Sequence, residues 1–129
     1  MQYKNCWSSS QNRPVKTEPG QPSERSYPKK TPICFFLLAD QEIAGMLTVG
    51  IYHSPTGGKA WIEDVVVDEK YRGQGLSKQL VTHAVRFVKE QGIPLIMLTS
   101  NPTRIAANKL YQKLGFEQKQ TNVYRMNLE

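Results

Sequence analysis

The stretch from residue 63 to residue 80, Glu-Asp-Val-Val-Val-Asp-Glu-Lys-Tyr-Arg-Gly-Gln-Gly-Leu-Ser-Lys-Gln-Leu, restricts the fold more than any other part of the chain. Val65, Val66 and Val67 form an apolar β-branched run that reads as a buried strand. Arg72-Gly73-Gln74-Gly75 follows it, and a helical pattern begins at about Leu76. The order is strand, glycine turn, helix. Glycines at a helix start let the backbone come close to a ligand, while unpaired amides and the helix dipole attract negative charge. The turn is therefore built to receive phosphate, and a pyrophosphate-bearing cofactor is the natural candidate. A P-loop would need a Gly-Lys-Ser/Thr ending and a dinucleotide fold three spaced glycines; this stretch has neither.

The 129 residues suffice for one domain. No run of 18 apolar residues occurs and the first ten residues hold no apolar signal core, so a soluble, cytoplasmic protein without a membrane partner is expected. Cys6 and Cys34 lack metal-ligand spacing and read as free thiols; no metal site is expected. The formal charge of +6 is uneven: residues 1–31 hold six Lys/Arg against two Asp/Glu, and residues 32–129 eleven against nine. That first segment also carries Pro14, Pro19, Pro22 and Pro28, so 1–31 reads as a Pro-rich basic leader, largely irregular, ahead of a folded domain at 32–129. Its charge could attract nucleic acid, but no RNP-like aromatic pattern or recognition helix accompanies it. A solvated arm, or one packed on a neighbouring subunit, is preferred, and nucleic acid is not an expected partner.

From Pro32 the pattern turns to strands. Residues 33–38 and 43–51 read as a hairpin, 53–58 as a loop, and 60–67 as a third, antiparallel strand. A helix over about 73–91 follows, with Leu76, Leu80, Ala84, Phe87 and Val88 on one face and Gly92 as its stop. Residues 95–99 form a fourth strand, parallel to the third through a right-handed crossover. Asn101-Pro102 reads as the cap and first position of a second helix running to Leu114, and 116–119 and 123–128 read as closing strands. The fold class is α/β with a mixed sheet.

Two motifs resemble those of the GNAT N-acetyltransferase superfamily, over about residues 33–128. The turn is similar to its acetyl-CoA-binding motif, Arg/Gln-x-x-Gly-x-Gly/Ala. Arg72 and Gly75 match, Gly73 adds the Arg-Gly-x-Gly form, and Ser77, where the family has Gly or Ala, still permits close approach. Ala107-Asn108-Lys-Leu-Tyr111-Gln-Lys-Leu-Gly115-Phe116 resembles the second signature, Asn-x-x-Tyr-x-x-x-Gly-Phe. Asn108 and Tyr111, three apart, share a helix face. Ile62-Glu63-Asp64-Val65 is similar to the glucosamine-6-phosphate acetyltransferase branch and to small bacterial members.

The resemblance implies a mostly antiparallel mixed sheet with a parallel, splayed strand pair and flanking helices. The family's first strand and helices, which form one wall of the acceptor pocket, are expected to be missing, since only the leader precedes the hairpin. It also implies acetyl-CoA as donor, held by backbone groups of Val65, Val66 and Val67 on the pantetheine arm and by Arg72, Gly73, Gln74, Gly75, Leu76, Ser77 and Lys78 at the pyrophosphate. Asn101, Asn108 and Tyr111 complete the implied cofactor set. Direct attack of an amine on a thioester needs an oxyanion donor, a base and an acid. Tyr111 would protonate the departing thiolate, and Glu63 or Asp64, directly or through water, would be the base. His53, read in a loop, and His83, read on the exposed helix side, are weaker candidates. The acceptor would be a primary amine of a small molecule or peptide; the alternative is a non-catalytic, acetyl-CoA-binding subunit. Phe35 and Phe36 on an under-covered sheet flank suggest a homodimer, with Trp7 of the leader packed on its own or the neighbouring core.

Overall fold

The computed structural model describes residues 3–6 and 32–129. They fall into two compact units, Met1–Thr99 and Ser100–Glu129.

The first unit holds a five-stranded sheet in the order β1-β2-β3-β4-β5. The strands are β1 (Tyr3–Cys6), β2 (Ile33–Ala39), β3 (Glu42–Ser54), β4 (Gly57–Val67) and β5 (Ile96–Leu98). β1 to β4 pair antiparallel in succession, and β5 pairs parallel to β4 across the helix α1 (Leu76–Glu90), as the crossover argument requires. β1 is an element of the leader that composition did not announce; it lies against β2 with Cys6 opposite Cys34. The proposed packing of Trp7 falls outside the described residues.

Two tight turns build the meander. Asp40 and Gln41 both have positive φ, 50° and 67°, the pair of conformations that suits a two-residue connection between right-twisted strands. The expected loop at 53–58 is instead the end of a long hairpin: His53 pairs with Gly58 and Ser54 with Gly57, leaving only Pro55 and Thr56 as the turn. β-Ladder bonds can continue to the last residue because Gly57 accepts a φ of 116° there.

The core lies between one face of the sheet and α1. Phe35, Leu37, Leu47, Val49, Ala60 and Ile62 are buried on it, as are Leu76, Leu80, Val81, Ala84 and Val88 of α1. At about 25–30 cal/mol per Å2, each Val, Leu, Ile or Phe among them contributes about 1.5–3 kcal/mol on full burial. Gly45 is needed for this contact, since a Cβ there would stand 3.0 Å from Leu80 Cδ1 and from the Val66 carbonyl oxygen. Phe35 is 1% exposed and meets the rings of His83 and Phe87 edge-on at 4.9 and 5.2 Å. The expectation that Phe35 is under-covered is thus corrected, because α1 covers that side of β2. His83 is half-buried rather than on the open side of its helix. Its imidazole is held below the usual value, first by burial and then by the charge of Arg86.

The second unit carries α2 (Ile105–Lys113). Asn101 does not cap it. Its side-chain oxygen accepts the Thr103 amide and hydroxyl, both at 2.9 Å, and closes a separate turn before the helix. Residues 116–129 form no strand, so both closing strands are corrected: Val123, Tyr124, Met126 and Leu128 alternate in sequence but all are exposed. Alternation supplies a face, whereas a strand also needs a neighbour for its backbone.

Candidate functional site

β4 changes character at Ile62. Its parallel ladder with β5 pairs Ala60, Trp61 and Ile62 with Ile96, Met97 and Leu98 and then stops, while β4 runs on to Val67. β5 ends at Leu98, and over 63–67 the edge of β4 that faced β5 has no strand beside it among the described residues. On the other edge the register with β3 slips. Thr48 faces Glu63 and Met46 faces Val66, so Leu47 stands opposite both Asp64 and Val65. That is a β-bulge, and its extra residue, Asp64, takes φ 53°. A bulge turns the strand and leaves backbone groups out of the ladder, which is how sheets re-aim atoms toward a ligand.

The valine run is consequently not a uniformly buried strand. Val67 lies against Gly45 on the α1 side, whereas Val66 is 53% exposed, since its partner Met46 points to the face that α1 does not cover. Glu63 and Asp64 are both exposed. Trp61, half-buried two residues before Glu63, donates its indole N–H to the Tyr52 hydroxyl at 3.0 Å.

Beyond Val67 a short 3-10 turn (Glu69–Tyr71) is capped by Asp68, whose carboxylate accepts the Lys70 amide at 2.9 Å. Arg72 donates from Nε to the Val67 carbonyl at 3.3 Å and pairs with Glu69 at 3.6 Å. Gly73 and Gly75 then take φ of 79° and 75°. Gly75 is the N-cap of α1 and brings no side-chain cap; the first turn holds Ser77 and Lys78 and no acid. The N-terminal amides thus face outward with the positive end of the helix dipole undiminished. Among the described residues, no side chain or backbone beyond the adjoining positions lies within 4 Å of where a Cβ would stand at Gly73 or Gly75.

The other candidates lie in the second unit. Asn108 donates from Nδ2 to the Asn101 carbonyl at 2.9 Å, so these two are brought together. Tyr111, on the same helix, is buried, with its ring edge-on to Phe116 at 6.1 Å and its carbonyl accepting the Phe116 amide. His53 sits in β3, exposed, beside Gly58. Among the described residues no cluster of three or more His, Cys, Asp or Glu could hold a metal, and no helix is long and apolar enough to cross a membrane.

The bulge itself escaped the sequence reading. Its one trace there is the pair of adjacent acids, Glu63-Asp64, which interrupts apolar β4 with two residues that cannot both face the core.

A family model, the acetyltransferase (GNAT) family, matches residues 3–116. Human N-acetyltransferase 8B is 29% identical over 96 residues, 72% of this chain and 42% of that protein. Glucosamine 6-phosphate N-acetyltransferase of Trypanosoma brucei brucei is 34% identical over 92 residues, 57% of this chain and 60% of its own length. The chain thus spans less than two thirds of the curated relatives it matches. Among solved structures, a transcriptional regulator from Bacillus halodurans C-125 superposes with a TM-score of 0.68 at 33% identity, over 74% of this chain and 66% of that one.

Proposed function

Because the chain belongs to the acetyltransferase (GNAT) family, we propose that it transfers an acetyl group from acetyl-CoA to a primary amine of a small molecule or peptide. One observation carries the reading: the open half of β4 leads, through the short 3-10 turn, into a left-handed glycine turn at a helix start with no side-chain cap. An extended amide-bearing arm and a pyrophosphate need those two features in that order. The space at Gly73 and Gly75, open among the described residues beyond the adjoining positions, suits a phosphate, and Arg72 and Lys78 flank the turn in the chain.

Acetyl-CoA supplies a thioester carbonyl activated enough for direct attack by a free amine. The residues of this chain then have three tasks. Backbone groups of Val65, Val66 and Val67, freed from the β5 ladder, bind the pantetheine arm, and an amide at the bulge donates to the carbonyl oxygen as negative charge develops. Glu63 or Asp64, exposed beside that edge, accepts the ammonium proton directly or through water. Tyr111 donates its hydroxyl proton to the departing sulfur, with Asn101 and Asn108 setting the turn that precedes its helix. The roles of these three rest on the family motif.

The homodimer remains part of the proposal. Its motive is now Ile43 and Val66, 57% and 53% exposed, rather than Phe35. A non-catalytic acetyl-CoA-binding subunit is the second reading; the description of the Bacillus halodurans relative as a transcriptional regulator favours it.

Thermal shift with acetyl-CoA, joined to a free-thiol assay over a panel of amines, aminosugars and peptide N-termini, tests both. Stabilisation with acceptor-dependent thiol release is the expected result. Stabilisation without release from any acceptor supports the second reading, and absence of both overturns the two. Tyr111→Phe should keep acetyl-CoA affinity within a few-fold while turnover falls by ~10²–10⁴; unchanged kcat in a folded variant removes Tyr111 from the chemistry.

A further inference from the structure

Glu42 opens β3, directly after the Asp40-Gln41 turn, and no motif includes it. Gly45 pairs with Val67, so residues 42–44 continue past the end of β4 and lie beside the chain that leaves it. Three bonds tie the two together there. The Ala44 carbonyl accepts the Asp68 amide at 2.9 Å. Glu42 Oε2 accepts from Lys70 Nζ at 3.1 Å and from the Tyr71 hydroxyl at 3.0 Å.

Tyr71 is the last buried residue before the glycine turn, and Leu76 is the next. Between these fixed points run four exposed residues, Arg72, Gly73, Gln74 and Gly75, two of them glycines with left-handed backbone. A segment of that composition loses much conformational freedom when it orders around a ligand. Its affinity therefore depends on how firmly its ends are held.

We propose that Glu42 is a positioning residue for the phosphate turn: its carboxylate fixes the Tyr71 hydroxyl, and through Tyr71 it fixes the start of the segment 72–75 whose amides receive the cofactor pyrophosphate. The inference deepens the acetyl-CoA reading above and rests on it. The Tyr71 bond, rather than the Lys70 ion pair, does the holding. Both ends of the ion pair are about two-thirds exposed, 67% for Lys70 and 64% for Glu42, where such pairs contribute little. The Tyr71 ring is buried and hands its one polar atom to Glu42. The bond also reinforces its own protonation states. Lys70 and then Tyr71 hold the Glu42 carboxyl below its usual range, and Glu42 raises the Tyr71 phenol, so carboxylate and neutral phenol face each other at neutral pH.

The test compares Glu42→Ala, Glu42→Gln and Tyr71→Phe with the parent in the full chain. Two readouts are used: acetyl-CoA KM and kcat in the thiol assay, and amide hydrogen exchange at 72–76 without ligand. Glu42→Ala should raise KM roughly tenfold, about what one hydrogen bond to a charged acceptor is worth, leave kcat within twofold, and speed exchange at 72–76. Glu42→Gln, which keeps an acceptor for Tyr71 but loses the charge toward Lys70, should restore most of both. Tyr71→Phe should match Glu42→Ala, and the double variant should be no worse than either. Parent-like KM and exchange in Glu42→Ala would overturn the assignment, as would failure of Glu42→Gln to rescue. If the parent shows no acetyl-CoA binding, the cofactor reading falls by itself; the exchange comparison still decides whether Glu42 holds the turn.

Discussion

β4 is two strands in one. Its first half, up to Ile62, is paired with β3 throughout and with β5 over residues 60–62, and carries Ala60 and Ile62 into the core at 0% and 3% exposure. Its second half keeps one neighbour, takes in an extra residue with left-handed backbone, and exposes Glu63, Asp64 and Val66. Pairing and burial fix the first half, and their withdrawal makes the second available. In the proposed site, the backbone donors and acceptors that pair with no strand on that edge among the described residues serve the ligand, while the first half, anchored on α1, keeps them in place.

The contrast can be broken most severely at the bulge. Deleting Asp64 leaves Leu47 opposite Val65 alone and makes the register with Glu63 and Val66 one-to-one. The fold should keep its stability, since the residue lost is the one with φ 53°. Acetyl transfer should fall by ~10²–10³, the usual effect of removing an oxyanion donor. A deletion variant with parental turnover would show that the second half is not specialised. The opposite experiment is Ile62→Ala. It strikes the paired half, and chemical denaturation should record a loss of about 2–5 kcal/mol, with the acetyl-CoA Kd of the folded fraction unchanged.

A smaller effect sharpens the role of α1 as the anchor. Burial, then Arg86, lowers the His83 pKa in the folded state. The unfolded chain thus takes up this proton first, at about pH 6.5. Stability from His83 is complete above that value and declines as pH falls from it toward the lower folded pKa. Melting temperature between pH 8 and pH 5 should fall less for His83→Gln than for the parent; equal slopes would mean that His83 is not sensed by the core.

Much of this was legible in the chain. Val67, the Arg72 to Gly75 turn and the Leu76, Leu80, Ala84, Val88 face announced strand, glycine turn and amphipathic helix because each is a local pattern with a local cause. That Asn108 and Tyr111 lie on one helix was legible for the same reason. What stayed hidden depends on distant partners. The bulge at Asp64 is a property of the register between two strands, and nothing in residues 63–67 states where β3 slips. Glu42 meets Tyr71 across 29 positions. The burial of Phe35 follows from where α1 lands, and the missing ladder at 123–128 from the lack of a neighbour that alternation cannot supply.

The central claim is that the turn leaving the open half of β4 receives the cofactor, and calorimetric titration of CoA into the parent and into Gly75→Leu tests it most directly. At φ 75° a leucine costs about 1–2 kcal/mol of strain, a loss that a parallel melting curve will register and that a stable domain survives. Its side chain also enters the space left for the phosphate. The account predicts saturable heat for the parent and none for a folded Gly75→Leu. Equal affinity in the two proteins would contradict it.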